Sequence, residues 1–304
     1  MRISDLNSKL TTFAFLSFGA IVIAMFIAFT RYAPDAYVMI RYCAIDNVTR
    51  SISMQSIKDN NFLFDFITVL GDWFSVSGVQ GYLSFTILIY ISVFIFKYGL
   101  LLKKTTLSRV ILIFLISFYT FDLNMLRFNI SVIILLYPLI LQRNKIGIQY
   151  IALSFLCHVL PVAVYFIKKL HYIPIFVILL VLPMLTPESS RLLSYLTYQE
   201  ASLFKCLLYF IPVLIGYYIY RRCKGKNVIM EVVEAFIVLS LIFLPFNTSM
   251  SARCIESGFF LSSLWWVIYS KNKMLGGLLW VFAIASFISR TYGGINAGQN
   301  DFIF

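Results

Sequence analysis

The sequence predicts an all-α, polytopic membrane protein with about nine or ten transmembrane helices and a re-entrant or broken helical segment near His158. Of the 304 residues, 61% are hydrophobic and only 12% are charged, whereas about a quarter of a soluble domain is charged. Hydrophobic runs of sixteen or more residues recur from one end of the chain to the other. Because no polar stretch is long enough for a sizeable soluble domain, we interpret residues 1–304 as a single integral membrane domain.

The apolar runs predict nine spans, each near the ~20 residues that an α-helix needs to cross a bilayer. Two further regions are ambiguous. Region 61–74 is apolar but carries two aspartates, which favours a partly embedded or interfacial helix. Region 146–167 contains His158 and Pro161 near its centre. The nine predicted spans lie near 11–30, 79–96, 107–122, 126–141, 173–187, 203–220, 231–246, 256–270 and 274–289.

Positive charge favours one arrangement of region 146–167, because lysine and arginine collect on the cytoplasmic side of a membrane. With the N-terminus inside, a single crossing places 12 of the 25 Lys and Arg residues inside and 13 outside. A hairpin that enters and returns near His158 and Pro161 places 16 inside and 9 outside. Pro161 favours such a break, because a helix-interior proline removes a hydrogen bond. This arrangement puts Lys97 inside and Asp122 outside.

The outer face then collects most of the charged residues that are unusual for a membrane protein. Charges at the mouth of a bilayer are costly and are kept mainly where they bind an anion or a partner. Arg127 is the strongest case, because it lies between two apolar segments with almost no polar loop. The inner face offers simple basic clusters, which we interpret as topology signals and headgroup contacts. The outer charges are Arg31, Asp35, Arg41, Asp46, Arg50, Asp122, Arg127, Arg191, Arg253 and Glu256.

Two arginines, a histidine and an aspartate at one membrane face suit a diphosphate held at the lipid surface. Guanidinium forks match phosphate oxygens, and a histidine or carboxylate can take a proton from a hydroxyl. The sequence has no aspartate-rich metal motif, P-loop or glycine-rich cradle, so we predict that the protein uses no metal and no cofactor. The structural alternatives are an ion pair of Arg127 with Asp122, an ion pair of Arg253 with Glu256, a backbone hydrogen bond from His158, and a cap or turn at Asp35.

Three short stretches carry the arginines and the histidine in a fixed order. They are Leu126-Arg-Phe-Asn-Ile-Ser-Val-Ile133, Ile151-Ala-Leu-Ser-Phe-Leu-Cys-His158-Val-Leu-Pro-Val162 and Ser251-Ala-Arg253-Cys-Ile-Glu256. In this order they resemble the EpsG/Wzy family of bacterial polysaccharide polymerases, with its arginine-led helix start, its histidine-containing helix and its late arginine. The early stretch Asp35-Ala-Tyr37 is loosely similar as well. Asn129 and Ile130 stand where the family pattern has a pair resembling Gln-Ala.

The resemblance implies a membrane glycosyltransferase that polymerises lipid-linked oligosaccharide repeat units, as in O-antigen, lipopolysaccharide, capsule or exopolysaccharide biosynthesis. Its substrates would be undecaprenyl-diphosphate-linked oligosaccharides at the periplasmic or external face of the bacterial cytoplasmic (inner) membrane. A chain-length regulator and a flippase in the same membrane are the expected protein partners. Nucleic acid is not an expected partner, because the net charge of +12 lies in short clusters between apolar runs.

We expect different outer residues to bind the donor, activate the acceptor and contact the sugars in this reaction. Arg127 and Arg253 would hold the donor diphosphate, and His158 or Asp35 would deprotonate or orient the acceptor hydroxyl. Arg41 and Arg191 are expected to contact phosphate or sugar, and Tyr37 and Tyr195 to stack on sugar rings.

Three other classes of protein remain open from the sequence. The first is a transporter or flippase of an anionic lipid-linked glycan, whose arginines would also bind phosphate. A transporter predicts paired inverted repeats with broken helices in both halves, and only one candidate break is apparent, near His158. The others are a membrane acyltransferase that uses His158 as a base, and a non-catalytic assembly subunit.

Overall fold

The described part of the protein is helical. The computed structural model describes residues 3–29, 40, 62–123, 125–140, 146–158, 161, 203–222, 227–245, 247–270 and 272–298. Within these ranges all regular secondary structure is helix, which confirms the predicted all-α class. The predicted span 173–187 lies outside the described residues.

Ten α-helices and one π-helical segment make up the described residues, and every predicted span within them coincides with a helix. The ambiguous region 61–74 is helix α2. The elements are α1 (Ile3–Phe29), α2 (Phe62–Trp73), α3 (Gly78–Leu102), α4 (Leu107–Ser117), the π-helix (Phe118–Leu123), α5 (Leu126–Ile140), α6 (Ile148–Cys157), α7 (Leu203–Arg222), α8 (Val228–Phe243), α9 (Thr248–Tyr269) and α10 (Lys273–Gly298).

The chain divides into two compact units. The first comprises Met1–Pro161 with Ala283–Phe304, and the second comprises Val162–Phe282. The first unit therefore holds α1 to α6 and the second part of α10. The second unit holds α7 to α9 and the first part of α10. The interpretation of the whole chain as one membrane domain stays a prediction.

Helix α3 is the centre of the first unit, where it contacts α1, α4 and α5. Its buried residues recur every three or four positions, the spacing of a single helix face. Beside this face lies a ring cluster of Phe15, Phe94, Tyr98 and Phe114, whose centroids are 4.6 to 6.2 Å apart. The buried residues of α3 are Tyr82, Thr86, Tyr90, Phe94, Lys97, Tyr98, Leu100 and Leu101.

Helix α9 is the centre of the second unit, where α7 and α8 pack against it. Most of its length is buried, from Ser251 to Val267 with only Arg253 exposed. The rings of Tyr209, Phe259 and Phe282 form the aromatic part of this core, with centroids 4.9 to 5.6 Å apart.

Two described helical segments, Leu10–Ala28 and Gly78–Leu102, are long and apolar enough to cross a membrane by length and composition. Shorter apolar segments occur at Leu107–Ser117, Leu126–Leu135, Ile148–Cys157 and Lys273–Ile288. Three helices also carry a row of exposed apolar side chains at helical spacing. These rows are Leu10, Phe13, Phe18, Ile21 and Met25 on α1, Leu203, Leu207, Ile211, Leu214 and Tyr218 on α7, and Met274, Leu278, Val281, Ile284 and Ile288 on α10.

Helix α6 is only 10 residues long and ends where the sequence predicts a break. The backbone of His158, which follows its last residue, is extended, with φ −163° and ψ 127°. The helix thus ends four residues before Pro161, whose ring would clash with the carbonyl of residue i−4 in a continuous helix. The return arm of the predicted hairpin lies outside the described residues, so the hairpin stays a prediction.

The contact between α1 and α3 generates a stability prediction. A Cβ atom added at Gly19 would overlap the Phe94 ring, which the ring cluster holds in place. We expect Gly19→Val to destabilise the protein by about 1–3 kcal/mol, the usual cost of overpacking a core. Gly99→Val is the matched control, because a Cβ there meets no atom within 4 Å. Thermal unfolding of the purified full-length protein measures both, and equal melting temperatures for the two variants would contradict this packing.

Candidate functional site

A buried ion pair lies in the first unit. The Nζ atom of Lys97, on α3, is 2.6 Å from Oδ1 of Asp122, in the π-helix. Each side chain is only 3% exposed. A buried pair of this kind does not by itself add stability, but removal of one partner strands the other charge and costs about 3–5 kcal/mol.

The carboxylate of Asp122 is fully occupied by donors. Oδ1 accepts hydrogen bonds from Lys97 Nζ at 2.6 Å and from Asn129 Nδ2 at 2.9 Å. Oδ2 accepts from Tyr98 OH at 2.6 Å and from Ser117 Oγ at 2.7 Å. Four donors on two oxygens supply the hydrogen bonds that a buried carboxylate needs in place of water. We call these five residues the Asp122 network.

Local sequence explains how the network forms. Lys97 and Tyr98 continue the buried face of α3, so both side chains point into the core. The π-helix begins directly after Ser117, the last residue of α4, and its wider turn contains Asp122. Such π-helical segments are frequently found at functional sites. The ring cluster borders the network through Tyr98, over whose ring Lys97 Nζ lies 5.0 Å from the centroid.

The network corrects two sequence-based interpretations. Lys97 was assigned to the inner face as a topology signal and Asp122 to the outer face. Because their charged atoms are 2.6 Å apart, that assignment is wrong for at least one of them. The predicted alternative, an ion pair of Asp122 with Arg127, is also wrong for the described residues, since the cation that contacts this carboxylate is Lys97. The sequence signal for the burial of Lys97 is its position in an apolar run, three residues after Phe94, which is itself buried.

Arg127 lies in the first turn of α5, one residue after the helix begins at Leu126. Its neighbours Leu126, Phe128 and Asn129 are at most 3% exposed, whereas Arg127 is half-buried. A cation in a first turn opposes the helix dipole, which favours anions there. The same turn presents backbone N–H groups that suit a phosphate. An arginine in this position is therefore suited to sharing an anion with the helix end.

Helices α5 and α6 are joined by the serine clasp, which we define as Ser131 and Ser154. The Oγ atom of each lies within 3.0 Å of the other residue's carbonyl oxygen, and the two Oγ atoms are 2.6 Å apart. Ser131 Oγ is also 3.1 Å from the carbonyl oxygen of His158. Small residues and shared hydroxyl hydrogen bonds of this kind allow two helices to approach closely.

The serine clasp brings His158 to the start of α5. The His158 ring lies edge-on to Phe128, with centroids 5.8 Å apart. Phe128 directly follows Arg127, so the imidazole lies beside the turn that carries Arg127. The structure therefore brings together two of the residues predicted from sequence, Arg127 and His158, and places both beside the Asp122 network.

Arg253 lies in the second unit, on the second turn of α9, and its side chain is exposed. The predicted spans 231–246 and 256–270 leave Arg253 in the connection between them, but α9 already begins at Thr248 under an Asn247 cap that accepts from Met250 N at 2.8 Å. A second pair of serines, Ser240 and Ser251, joins α8 to α9 just before it, with contacts of 2.7 and 2.8 Å. Glu256, its predicted partner, is 5% exposed.

The other predicted site residues fall outside the described residues. They are Asp35, Tyr37, Arg41, Arg191 and Tyr195. In the part of the chain that is described, no group of three or more His, Cys, Asp and Glu side chains can hold a metal ion. The absence of a metal and of a cofactor from the reaction stays a prediction.

No protein-family model, curated protein or solved structure matches this chain. The resemblance to the EpsG/Wzy polymerases therefore stays a prediction that rests on Arg127, His158, Arg253 and the residues around them.

The serine clasp can be tested by cross-linking. In a variant that lacks the five native cysteines, we expect Ser131→Cys with Ser154→Cys to form a disulfide on mild oxidation, because the two Oγ atoms are 2.6 Å apart. The control pair joins Ser131→Cys with Leu153→Cys, whose native side chain is 51% exposed. Cross-linking is read from mobility shifts on a non-reducing gel. Equal yields from the two pairs would contradict the α5–α6 packing.

Proposed function

We propose that the protein is a membrane glycosyltransferase that polymerises oligosaccharide repeat units carried on undecaprenyl diphosphate. The reaction takes place at the outer side of a bacterial cytoplasmic membrane and builds O-antigen, capsule or a related exopolysaccharide. The single observation that supports this proposal most is the juxtaposition of Arg127 and His158 at the first turn of α5. One residue is suited to a phosphate and the other to a hydroxyl proton.

Arg127 is the proposed diphosphate contact. Its guanidinium offers several donors in a planar fork, and the first-turn N–H groups of α5 add fixed dipoles of the same sign. Charge accumulates on the diphosphate as the bond to the sugar breaks, so these groups act most strongly in the transition state. They therefore favour departure of undecaprenyl diphosphate.

His158 is the proposed base or orienting group for the acceptor. In the reaction, a hydroxyl oxygen of the new lipid-linked repeat attacks the anomeric carbon of the growing chain. The bond from that carbon to the phosphate oxygen breaks, and the hydroxyl proton passes to the imidazole. His158 lies edge-on to Phe128, the residue that follows Arg127 in the first turn of α5. A neutral imidazole is the form that accepts a proton.

The exposed apolar rows support a membrane location. Side chains such as Phe13 on α1, Ile211 on α7 and Val281 on α10 are 58 to 70% exposed and recur at helical spacing. Water would make rows of this kind costly on three separate helices, whereas lipid chains are an apolar solvent for them. The finer proposal is that the protein spans the membrane about nine or ten times, with a re-entrant hairpin that turns near His158.

Arg253 is a second candidate phosphate contact, on evidence of its own. It is an exposed cation on a capped helix whose other residues from Ser251 to Val267 are buried. An exposed guanidinium on such a helix keeps donors accessible, and its planar fork matches phosphate oxygens. Asp35, Arg41, Arg191, Tyr37 and Tyr195 keep their proposed roles from the sequence alone.

One observation favours transport of an anionic lipid-linked glycan as the second candidate function. Lys97 and Asp122 form a buried ion pair inside apolar helices, and ionisable groups in such positions are common along ion and substrate pathways. The two functions differ in their products. Loss of a polymerase leaves single repeats on the lipid carrier, whereas loss of a transporter prevents delivery to the surface without a change in chain length.

We expect Arg127→Lys and Arg253→Lys to fail to restore polymer in a deletion strain, although each keeps its positive charge. Lysine lacks the bidentate fork. Loss of one charge-assisted hydrogen bond corresponds to a decrease of about tenfold or more in the rate of polymerisation. Polymer length and lipid-linked repeats are measured together, at equal membrane levels of the protein.

The matched control for both variants is Arg222→Lys. Arg222 is exposed at the end of α7, where its guanidinium lies 4.7 Å from the Tyr218 ring centroid. It should support polymer of normal length. Full-length polymer from Arg127→Lys, or a deletion strain that makes full-length polymer but does not deliver it to the surface, would overturn the proposed polymerase.

A further inference from the structure

We propose that the Lys97–Asp122 pair acts as an anchor that positions Arg127, and that Asn129 transmits its effect. The inference rests on the proposed function, because it assigns these three residues to the alignment of the same Arg127–His158 site. None of them is expected to touch the substrate. They are positioning residues.

The path from the ion pair to the site is continuous. Asp122 Oδ1 lies between Lys97 Nζ at 2.6 Å and Asn129 Nδ2 at 2.9 Å. Asn129 belongs to the same helical turn as Arg127, and its backbone N–H donates to Met125 O at 2.9 Å, an early hydrogen bond of α5. The side-chain bond to Asp122 thus ties the first turn of α5 to α3. Any rotation of that turn moves Arg127 with it.

The far side of α5 is fixed by a separate contact. Ser131, two residues after Asn129, joins the helix to Ser154 and to the carbonyl of His158. The first turns of α5 are therefore held on one side by the Asp122 network and on the other by the serine clasp. Arg127 lies in the turn that the first attachment holds, and the second attachment holds the carbonyl of His158, an arrangement suited to a preformed site.

Burial and charge suit a fixed anchor better than a titrating or moving one. Asn129 is 1% exposed, and Tyr98 and Ser117 are fully buried. The carboxylate has all its hydrogen bonds and its counter-charge inside the protein. A simple stabilising role could be filled as well by apolar residues. The ion pair also fixes an orientation, because it determines which way the Asn129 amide faces. The first turn of α5, which carries that amide, is thereby oriented as well.

Asn129→Leu tests the proposal, with Ser263→Ala as its control. Each removes one hydrogen bond of a fully buried side chain, but only Asn129 contacts Asp122 and belongs to the helix of Arg127, whereas Ser263 lies on α9 and donates to Phe259 O. Among the described residues, Asn129 Oδ1 has no hydrogen-bond partner, so its removal strands no donor. Both full-length proteins are therefore expected to accumulate in the membrane at the wild-type level.

The first readout is independent of function. Cysteines replace Phe128 and His158 in a variant without native cysteines, and a short bifunctional thiol reagent reports how often the two positions meet. With Asn129→Leu, we expect the cross-linking rate to fall by about tenfold, the factor that corresponds to loss of one hydrogen bond to a charged group. With Ser263→Ala it should stay unchanged.

The second readout is polymer length, measured in parallel proteins that retain Phe128, His158 and the native cysteines. Asn129→Leu should shorten or abolish the polymer at an unchanged protein level, and Ser263→Ala should not. An unchanged cross-linking rate in Asn129→Leu would overturn the anchor, whatever the polymer does. A reduced cross-linking rate in Asn129→Leu would support the anchor. If the polymer in the same host is also unaffected by Arg127→Ala, the proposed polymerase function is refuted while the anchor stands.

Discussion

The buried Lys97–Asp122 ion pair is the constraint on which the first unit depends. Two opposite charges removed from water must stay in contact, so α3 and the π-helix cannot separate without exposing one of them to an apolar core. Tyr98, Ser117 and Asn129 complete the hydrogen bonds of the carboxylate, which fixes the helices that carry them. The ring cluster beside the pair keeps water out and thereby strengthens the interaction.

This constraint also explains how Arg127 is held in an electrostatically unfavourable position. Arg127 opposes the dipole of its own helix, and its half-buried setting offers little water. Two independent attachments, through Asn129 and through the serine clasp, hold the helix start where it is. Rigid support of this kind around a cation and a neighbouring imidazole is the physical basis for proposing phosphate chemistry at this place. Fold alone would not support it, because helical membrane proteins perform many unrelated functions.

Much of the helical framework was predictable from the sequence, because apolar runs of membrane-crossing length and short basic loops leave few alternatives. The end of α6 near His158 was predictable too, from Pro161. The Asp122 network was not. Sequence places Lys97 and Asp122 25 positions apart, and only the packing of α3 against the π-helix and α5 reveals that they meet. Charge counting assigned them to opposite faces because it treats every lysine as solvated. The sequence alone also did not predict that Asn129 donates a hydrogen bond to Asp122.

The most direct test of the central claim, that Arg127 holds a prenyl diphosphate, is a binding measurement on the purified full-length protein in lipid nanodiscs. Farnesyl diphosphate and farnesol serve as probes that share an apolar chain and differ in the diphosphate. We expect the wild-type protein to bind the diphosphate about tenfold or more tightly than the alcohol, and Arg127→Ala to lower the affinity for the diphosphate to that for the alcohol. Equal affinities in the wild-type protein, or a preference that survives Arg127→Ala, would contradict the claim.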